Sequence, residues 1–468
     1  MKHQVPFTGH LVFIGFGSIA RATLPLLLGQ EHIEVRQITV IAPVIEQNIW
    51  FKERGIHFVR EALTEPDFAQ ILDRFVEPGD FIVNLSVEVS SLAVIAYAFD
   101  KGAFYLDTCV EPWAGGYTDP QLDHALRTNY ALRYQALNLR KKLGRGPTAI
   151  IAHGANPGLI THLLKAGLME LAMQLNHPLP EDRQGVDWAR LCMEMGIKVI
   201  HFAERDTQRS QRLKEDDEFV NTWSVHGFIS EGTQPAELGW GSHERVWPPS
   251  ARRHRFGSRN AIYLERPSAS VLVKTWTPLG GPCLGMLITH HETASTADLL
   301  TLKDQRKLLY RPTLHYAYHP CNDALLSVHE LIGRGWQAQT RQRILNGEID
   351  SGGIDALGVL FMGHELNAYW FGSLLSIDEA RALVPFNNAT SLQVAAGVLS
   401  GVVWAVEHPD RGIVEPEQMD HERVLEIARP YLGTLAGQRT DWTPSGASPN
   451  PSTDDPAQDW QFAHFTRF

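Results

Sequence analysis

The segment Leu11–Leu27, LVFIGFGSIARATLPLL, constrains the fold of this chain more than any other. An apolar run leads into the pattern G-x-G-x-x-A, formed by Gly15, Gly17 and Ala20, and an amphipathic stretch follows. In this pattern the first glycine permits a tight turn, the second lets the backbone approach a pyrophosphate, and the small third residue lets helix and strand pack closely. Phosphates bind at such helix N-termini because unpaired N–H groups and the helix dipole favour anions. The segment therefore predicts a dinucleotide-binding turn, and the alternative is an ordinary βα turn whose glycines serve packing.

The first third of the chain repeats this alternation of strand and helix. Helix-like stretches such as Glu65–Val76 and Ser90–Gly102 separate six apolar runs: Leu11–Gly17, Gln37–Pro43, Ile56–Glu61, Phe81–Val87, Ala103–Cys109 and Thr148–Gly154. Short, continuously apolar strands that alternate with helices are typical of a parallel, doubly wound sheet. We therefore expect an α/β protein with a Rossmann-type domain in residues 1–155.

After residue 155 the pattern changes. A helical stretch, Leu159–Leu175, is followed by strand-like runs at Ile197–Glu204, Ser270–Pro278 and Leu284–His291. This order predicts a second, α+β domain in residues 156–384. We expect one apolar helix over Thr390–Gly412, with residues 385–436 packing back on the first domain. Residues 437–468, rich in Pro, Ser, Thr and Asp, form a predicted C-terminal tail.

Composition excludes several kinds of partner and location. A net charge of -11 disfavours nucleic acid and suits a cationic ligand. The four cysteines form no C-x-x-C pair, which indicates a reduced, cytoplasmic protein. The N-terminus has no apolar signal core, and no apolar run approaches the ~20 residues of a membrane span. We therefore expect neither a membrane nor a nucleic acid as partner.

The predicted nucleotide site lacks its usual acidic residue. Ala42 and Pro43 stand where Asp or Glu commonly binds the adenosine ribose, and neither Arg nor Lys follows before Asn48 to meet a 2′-phosphate. This favours NAD over NADP. Three polar residues at the carboxyl ends of other strands, Ser86, Asp107 and Thr108, are candidates for the missing contacts. A turn or a helix cap would also explain Asp107 and Thr108.

Chemistry-bearing side chains follow strand-like runs in the second half. Glu204 ends one such run, and Trp223, Glu231, Glu237 and His290 lie in or beside Gly-containing turns and strand ends. Partly desolvated carboxylates bind ammonium groups strongly, and Trp offers the best face for a cation–π contact. The alternatives are an Arg partner for Glu204, a core position for Trp223 and a structural role for His290.

Two further segments have weaker chemical signals. Asn156 either caps the following helix, with Pro157 at its first position, or faces the cleft, and the two roles are compatible. His315, His319 and Cys321 match no zinc spacing, so we expect no metal. The chain has no G-x-S-x-G elbow, Walker loop or H-E-x-x-H motif, which disfavours hydrolases and kinases.

Segments along nearly the whole chain resemble the bacterial homospermidine synthase family, and the Rossmann half more distantly resembles saccharopine dehydrogenase-like proteins. The matching strings are IGFGSIARATLPL, VNLSVEVSSL, YLDTCVEPWAGGY, RTNYALR, HGANPG, HFAERDTQ, NTWSVHGFISEGTQPAELGWG, THHETAS, YRPTLHYAYHPCNDA, NAYWFGSLLS and TDWTP. The resemblance implies an NAD-dependent but redox-neutral reaction in a homodimer whose second domain serves substrate binding and dimerisation. Putrescine is oxidised to an imine, and a second putrescine, or the aminobutyl end of spermidine, condenses with loss of ammonia or diaminopropane. The hydride then returns to the Schiff base, giving homospermidine.

The resemblance also implies residue roles. Glu231 would hold the distal ammonium, Trp223 would hold cationic intermediates, and Glu204 and His290 are candidates for proton transfer. Glu111 and Asn156 would line the cleft near the nicotinamide. The cofactor-binding set would be Gly15, Gly17, Ser18, Ile19, Ser86, Glu88, Asp107, Thr108 and Asn156. Glu88 departs from the family, where an aspartate is expected.

Two other functions fit parts of the sequence. A saccharopine-type amino-acid oxidoreductase would bind a substrate carboxylate, for which Arg205 and Arg311 are candidates, and would release NADH. A non-catalytic, NAD-dependent regulator would not need the Trp and carboxylate set.

Overall fold

The computed structural model describes residues 6–30, 33, 37–44, 49–117, 119, 121–179, 187–385, 387–445 and 460–466. The strands of the first third are β1 (His10–Ile14), β2 (Gln37–Ile41), β3 (His57–Val59), β4 (Phe81–Asn84), β5 (Phe104–Asp107) and β6 (Ala149–Ile150). The helices that alternate with them are α1 (Ser18–Leu28), α2 (Ile49–Lys52), α3 (Phe68–Leu72), α4 (Ser91–Lys101) and α5 (Asn129–Leu143).

The rest of the chain mixes longer strands with helices. Its strands are β7 (Val199–Asp206), β8 (Glu218–Asn221), β9 (Pro235–Gly239), β10 (Ala251–Arg253), β11 (Ala261–Pro267), β12 (Leu272–Thr277), β13 (Gly281–Met286), β14 (Leu302–Asp304), β15 (Lys307–Tyr310), β16 (Thr313–His319), β17 (Arg341–Ile344), β18 (Ile354–His364), β19 (Asn367–Ser376), β20 (Ile413–Val414) and β21 (Thr434–Thr440). Its helices are α6 (Leu159–Gln174), α7 (Trp188–Glu194), α8 (Val225–Thr233), α9 (His291–Leu299), α10 (Asn322–Gly333), α11 (Ile377–Leu383), α12 (Ala389–Glu407), α13 (His421–Ala428) and α14 (Phe462–Phe465).

The first sheet is parallel, with the strand order β20-β6-β5-β4-β1-β2-β3 among the described residues. Its central strands β1 and β4 are buried along their whole length, as expected for a sheet covered on both faces. The order turns at β1, where the chain leaves for β2 on one side and later for β4 on the other. The predicted α/β class, with a Rossmann-type sheet and a second domain, is confirmed.

The second sheet is mixed. β7 lies between β16, which runs parallel to it, and β18, which runs antiparallel to it. From β16 the sheet continues to β9, β11 and β10, and from β18 it continues to β19 and β21. The carboxyl end of β7 therefore has a long buried strand on each side.

Helix α12 joins the two halves of the molecule. It packs against α1 of the first sheet and against α13, and nearly all of its side chains are buried. Asn388 caps its N-terminus by accepting a hydrogen bond from the Ser391 N–H. Among the described helices, α12 is the one long and apolar enough to cross a membrane, which corrects the expectation that no apolar run approaches that length; its burial is typical of a core helix.

Several predicted boundaries differ from the structure. The helix predicted over Thr390–Gly412 ends at Glu407, before Pro409, and β20 follows the turn at Gly412. The strand predicted over Leu284–His291 is wrong at its end, because β13 stops at Met286 and His291 begins α9. The predicted tail begins inside β21, which pairs with β19, and residues 446–459 of that tail lie outside the described part. The division of the chain into domains at residues 155, 384 and 436 stays a prediction.

Candidate active site

Glu204 lies near the carboxyl end of β7 with 3% of its surface exposed. Its Oε2 accepts hydrogen bonds from the Asn156 side-chain amide at 2.6 Å and from the Tyr316 hydroxyl at 2.5 Å. Burial raises the pKa of Glu204 from 4.5 to about 7, although both hydrogen bonds oppose the rise. A carboxyl with this pKa exchanges its proton readily near neutral pH.

Asn156 connects the two sheets through this contact. It follows β6 of the first sheet, and its amide reaches the second sheet at Glu204. The alternative that Asn156 caps a helix is wrong, because α6 begins at Leu159 with Gly158 at its N-cap. Arg205 does not pair with Glu204, since successive side chains on β7 point to opposite faces; its guanidinium lies beside Gly280.

His290 directly precedes α9 and lies between two carboxylates. Its Nδ1 is 3.0 Å from Oε1 of Glu292, and its Nε2 is 3.2 Å from Oε2 of Glu231. Burial alone would lower the pKa of His290, but Glu292 and Glu231 raise it to about 10. The ring also packs on Tyr316, with centroids 4.3 Å apart. The two carboxylates therefore favour the protonated form of His290, and its ring lies beside Tyr316, the hydrogen-bond partner of Glu204.

Trp223 continues this aromatic wall. Its indole N–H donates to the Tyr318 hydroxyl at 3.1 Å, and Tyr318 stacks on Tyr316 with centroids 5.4 Å apart. Phe228 of α8 packs on the indole from another side, with centroids 5.5 Å apart. Trp223 is half-buried and packs against the main hydrophobic core, so the core position considered from the sequence describes it in part.

Glu111 and Glu88 lie on the first-domain side. The Glu88 backbone N–H donates to Oε2 of Glu111 at 3.3 Å. The pKa of Glu111 is raised from 4.5 to about 8, chiefly by burial and also by the nearby charges of Glu231 and Asp107. The hydrogen bond from the Glu88 N–H opposes this rise. The Glu88 carboxylate is 3.8 Å from Nε2 of His226 in α8, and both side chains are exposed. Glu111 and Glu231 therefore approach each other across the cleft, and Glu88 reaches across at its exposed edge.

Other candidate residues lie elsewhere. Glu237 accepts hydrogen bonds from the Asn129 and Tyr130 N–H groups at the start of α5, so it caps that helix. His315 and His319 lie on β16, where each Nδ1 contacts a backbone carbonyl oxygen. Throughout the described ranges, no group of three or more His, Cys, Asp or Glu side chains is arranged to hold a metal.

The glycine-rich turn has two glycines with different surroundings. Gly15 has φ +93°, and a Cβ there would lie 2.8 Å from the Leu85 carbonyl oxygen. Gly17 has φ -82° and is exposed at the N-cap of α1, and a Cβ there would meet nothing within 4 Å. The space in front of the helix N-terminus is therefore open, and its first residues are Ser18 and Ile19. This arrangement fits a phosphate group.

The other predicted cofactor residues lie at strand ends of the same sheet. The Ser86 hydroxyl donates to Asn84 at 2.6 Å. Asp107 is buried, and its two oxygens accept hydrogen bonds from the Ala152 N–H at 2.6 Å and the Tyr105 hydroxyl at 2.8 Å. Asp107 thus anchors neighbouring strand ends, while Thr108, the next residue, packs close to Gly154. The backbone N–H of Ala42, where the acid is missing, donates to Val59 of β3.

Sequence reasoning missed four buried residues around Glu204, namely Tyr316, Tyr318, Asp206 and Asp355. The alternation in HYAYHP places both tyrosines on one face of a strand, so this signal was available. No local pattern marks Asp355, which lies opposite Asp206 in the pairing of β18 with β7.

Both halves of the chain match known protein families. The saccharopine dehydrogenase NADP binding domain matches residues 11–150, and the saccharopine dehydrogenase C-terminal domain matches residues 154–441. The chain is 46% identical to homospermidine synthase of Mesorhizobium japonicum, covering 97% of this chain and 96% of that protein. The chain belongs to the homospermidine synthase family. A second member of the family, from Blastochloris viridis, is 47% identical over the same shares of both chains.

Solved structures extend the comparison. The homospermidine synthase of Legionella pneumophila, whose crystal structure is a complex with NAD, superposes with a TM-score of 0.90 at 43% identity and full coverage of both chains. The saccharopine dehydrogenase of Saccharomyces cerevisiae superposes with a TM-score of 0.53 at 10% identity, covering 92% of this chain and all of that one, so it shares the fold alone. The predicted relationship to the homospermidine synthase family, with saccharopine dehydrogenase-like proteins as more distant relatives, is confirmed.

Proposed function

We propose that this chain is an NAD-dependent homospermidine synthase that joins two putrescines, or putrescine and the aminobutyl group of spermidine. The single observation that carries the proposal is the contact of Asn156 and Tyr316 with Glu204, beside the His290–Glu231 pair and the Trp223 indole. This set offers a proton-exchanging carboxyl, an acidic anchor and an aromatic face. Those are the groups that an amine substrate requires, and the family membership names the reaction.

NAD would bind at the carboxyl end of the first sheet. Gly15 and Gly17 would bring the backbone to the pyrophosphate, with the N–H groups that begin at Ser18 and Ile19 donating to it. Ser86, Glu88, Thr108 and Asn156 would line the remainder, with Asp107 holding the strand ends in place. When bound, NAD takes a hydride from the amine-bearing carbon and returns it to the later Schiff base.

Glu204 would remove the proton from the reacting ammonium. A primary ammonium has a pKa near ~10.4, so it is charged at neutral pH and its carbon does not release a hydride until the nitrogen loses a proton. Oε2 of Glu204 is oriented by two neutral donors, and a pKa of about 7 lets the carboxyl accept that proton and later return it.

Glu231 and Trp223 would hold the cationic parts of the substrate. Glu231 would bind the distal ammonium from the cleft side, with Glu111 as its neighbour. The Trp223 face would stabilise the cationic imine, because its N–H is directed towards Tyr318 and fixes the ring plane. His290, a cation between Glu231 and Glu292, would orient Glu231 and donate a proton to the leaving amine.

The saccharopine-type alternative is less well supported by the positions of the arginines. Arg205 lies on the opposite face of β7 from Glu204. Arg311 donates to Thr301 and to the carbonyl oxygens of Trp240 and Asn260. Neither guanidinium is directed at Glu204 or His290, where a substrate carboxylate would need one.

We further propose polyamines as the physiological ligands, a homodimer as the assembly and the cytoplasm as the location. The acidic surroundings of the cleft and the overall charge of -11 favour polyamines over nucleic acid. The reduced state of the described cysteines fits the location, since all four are free.

One incubation tests the proposed function against both alternatives. The protein is mixed with putrescine and a catalytic amount of NAD, and homospermidine, ammonia and net NADH are measured. Homospermidine with equimolar ammonia and no accumulated NADH supports the proposal. Stoichiometric NADH without a coupled polyamine would refute it in favour of an oxidoreductase, and binding of NAD without any product would favour a regulator. Glu204→Gln serves as the inactive reference, because it preserves the side-chain volume and cannot accept the proton.

A further inference from the structure

Three carboxyl groups lie together at the end of β7. Glu204 and Asp206 are on the same face of the strand, and Asp355 is paired directly opposite Asp206 on β18. The three residues are 3%, 2% and 0% exposed. The charge of Glu204 and that of Asp206 both act on the Asp355 carboxyl, so the three form one electrostatic group.

The hydrogen bonds to this group all come from neutral donors. Asp206 accepts from the Gln208 backbone N–H at 2.8 Å, from the Gln208 side-chain amide at 3.0 Å and from the Thr222 hydroxyl at 2.8 Å. The Thr390 hydroxyl donates to Oδ2 of Asp355 at 2.5 Å. The other Asp355 oxygen, Oδ1, is buried without a hydrogen-bond partner.

No basic side chain of the described residues forms an ion pair with any of the three carboxyls. The titratable groups that face them are the Tyr316 and Tyr318 hydroxyls, the Cys321 thiol and the His290 ring, and the ring is already paired with Glu231 and Glu292. Three buried carboxylates without an ion-pair partner are too costly to be ionised together, so at least one of them retains a proton. Burial raises the pKa of Asp206 to about 6 and raises that of Asp355 well above its ordinary value.

The proposed reaction requires storage for more than one proton. The first ammonium loses one proton before hydride leaves its carbon, and the second ammonium loses another before its nitrogen can attack the imine carbon. The new C–N bond forms as the first nitrogen, protonated again, leaves as ammonia. At the end one proton is on the departing ammonium ion and one is on the secondary amine, so both stored protons have been returned. Glu204 by itself holds one, and His290, which is already protonated, adds no vacant site, because the proton that it gives to the leaving amine is replaced from the stored ones.

We propose that Asp206 and Asp355 form with Glu204 a shared proton store, in which the two aspartates act through Glu204 as positioning residues. Asp206 ionises at a lower pH than Glu204, and its negative charge keeps the Glu204 carboxyl basic enough to take a proton from an ammonium. Asp355, with its unpartnered Oδ1, carries the one proton that the group retains at rest, and ionised Asp206 takes up the further proton. This inference rests on the proposed function, because it assigns residues to the proton transfers of that reaction.

Substituting the two aspartates should change the pH dependence of the reaction in different ways. Asp206→Asn removes a vacant proton site and a charge that raises the proton affinity of Glu204. The acid limb of the kcat/KM profile should therefore move to lower pH by about one unit, and kcat should fall about tenfold or more. Asp355→Asn keeps the uncharged form that Asp355 has at rest, so it should leave the acid limb in place, and KM for putrescine should change less than about threefold in both variants.

Glu244→Gln is the matched control. It makes the same chemical change at a carboxyl that is 0% exposed and accepts hydrogen bonds from the Thr313 hydroxyl and the Phe462 N–H, at the other end of β16 from Tyr318. It should leave the position of the acid limb unchanged and kcat within about threefold of wild type. Each variant is first compared with wild type by thermal unfolding. Where both aspartate variants fail to fold, Thr222→Val, which removes a donor to Asp206, should shift the acid limb to lower pH by a smaller amount.

An unchanged kcat and an unchanged acid limb in folded Asp206→Asn would overturn the inference, as would a moved acid limb in Asp355→Asn. A rise in KM without a fall in kcat would also overturn it, since it would indicate that the aspartates anchor an ammonium. These outcomes leave the proposed function intact as long as the wild type makes homospermidine. A wild type that makes none refutes the proposed function and the proton store together.

Discussion

Gly17→Ala should separate nucleotide binding from folding. In the structure, a Cβ at Gly17 meets nothing within 4 Å, and φ is -82°, which any residue adopts. The free energy of unfolding without cofactor should therefore change by no more than about 0.5 kcal/mol. The added methyl group would, however, occupy the space in front of α1 that a pyrophosphate needs.

The magnitude follows from the hydrogen bonds that the methyl group displaces. Hydrogen bonds to a charged group contribute about 1.5–3 kcal/mol, so the Kd for NAD should rise roughly 10- to 150-fold. Isothermal titration calorimetry measures the Kd, and urea unfolding of the cofactor-free protein measures the stability.

Gly15→Ala is the matched control for this experiment. The new Cβ would lie 2.8 Å from the Leu85 carbonyl oxygen, and alanine would have to adopt a φ of +93°. The steric overlap and the unfavourable backbone conformation together should lower the free energy of unfolding by about 2–4 kcal/mol. If Gly17→Ala binds NAD within about threefold of wild type, the pyrophosphate does not lie at the N-terminus of α1 and the reasoning is refuted.

Three further predictions concern the site and its support. Asn156→Ala removes a hydrogen bond that lowers the pKa of Glu204, so the acid limb of the kcat/KM profile should move to higher pH by up to about one unit; a shift to lower pH would contradict this role. Trp223→Ala should lower kcat about 30-fold or more without weakening NAD binding. Trp223→Phe keeps an aromatic face and loses only the N–H to Tyr318, so its kcat should fall less. Equal losses of kcat in the two variants, measured by steady-state kinetics, would argue against the cation–π role. Burial lowers the pKa of His153 from 6.5 to about 4, so the unfolded state binds more protons between these values. The contribution of His153 to the free energy of unfolding should therefore be complete above pH 6.5 and fall by roughly 3 kcal/mol at most as the pH drops to 4. Urea unfolding of wild type and of His153→Gln at several pH values measures this contribution as the difference between them, and the variant should show the smaller loss.

Local sequence signals were sufficient for the class of the first sheet and for six of its seven described strands. Those strands are short apolar runs separated by helices, and the glycine pattern marks the first βα turn, so the parallel, doubly wound class follows from chain-local patterns. The strand order and the seventh strand, β20, which pairs with β6, were not predicted. The ends of elements were less predictable. The strand predicted up to His291 stops at Met286, because pairing with β12 and β16, rather than hydrophobicity, decides where β13 ends.

The candidate site was predictable as a set of residue types but not as a geometry. Glu204 and Glu237 both occur in apolar segments of similar appearance, yet one lies beside Asn156 and Tyr316 while the other caps α5. The distinction depends on which strands neighbour each residue, and strand alternation does not specify a neighbour.

The sequence by itself determined the α/β class, the nucleotide-binding turn and the acidic and aromatic residue types suited to a diamine. These features depend on contacts between residues close in the chain, or on side-chain chemistry alone. Only the tertiary structure decided that Asn156 of one sheet reaches Glu204 of the other, and that Asp355 lies opposite Asp206. Such contacts join residues far apart in sequence, and the packing of whole sheets sets them, so no local pattern contains them.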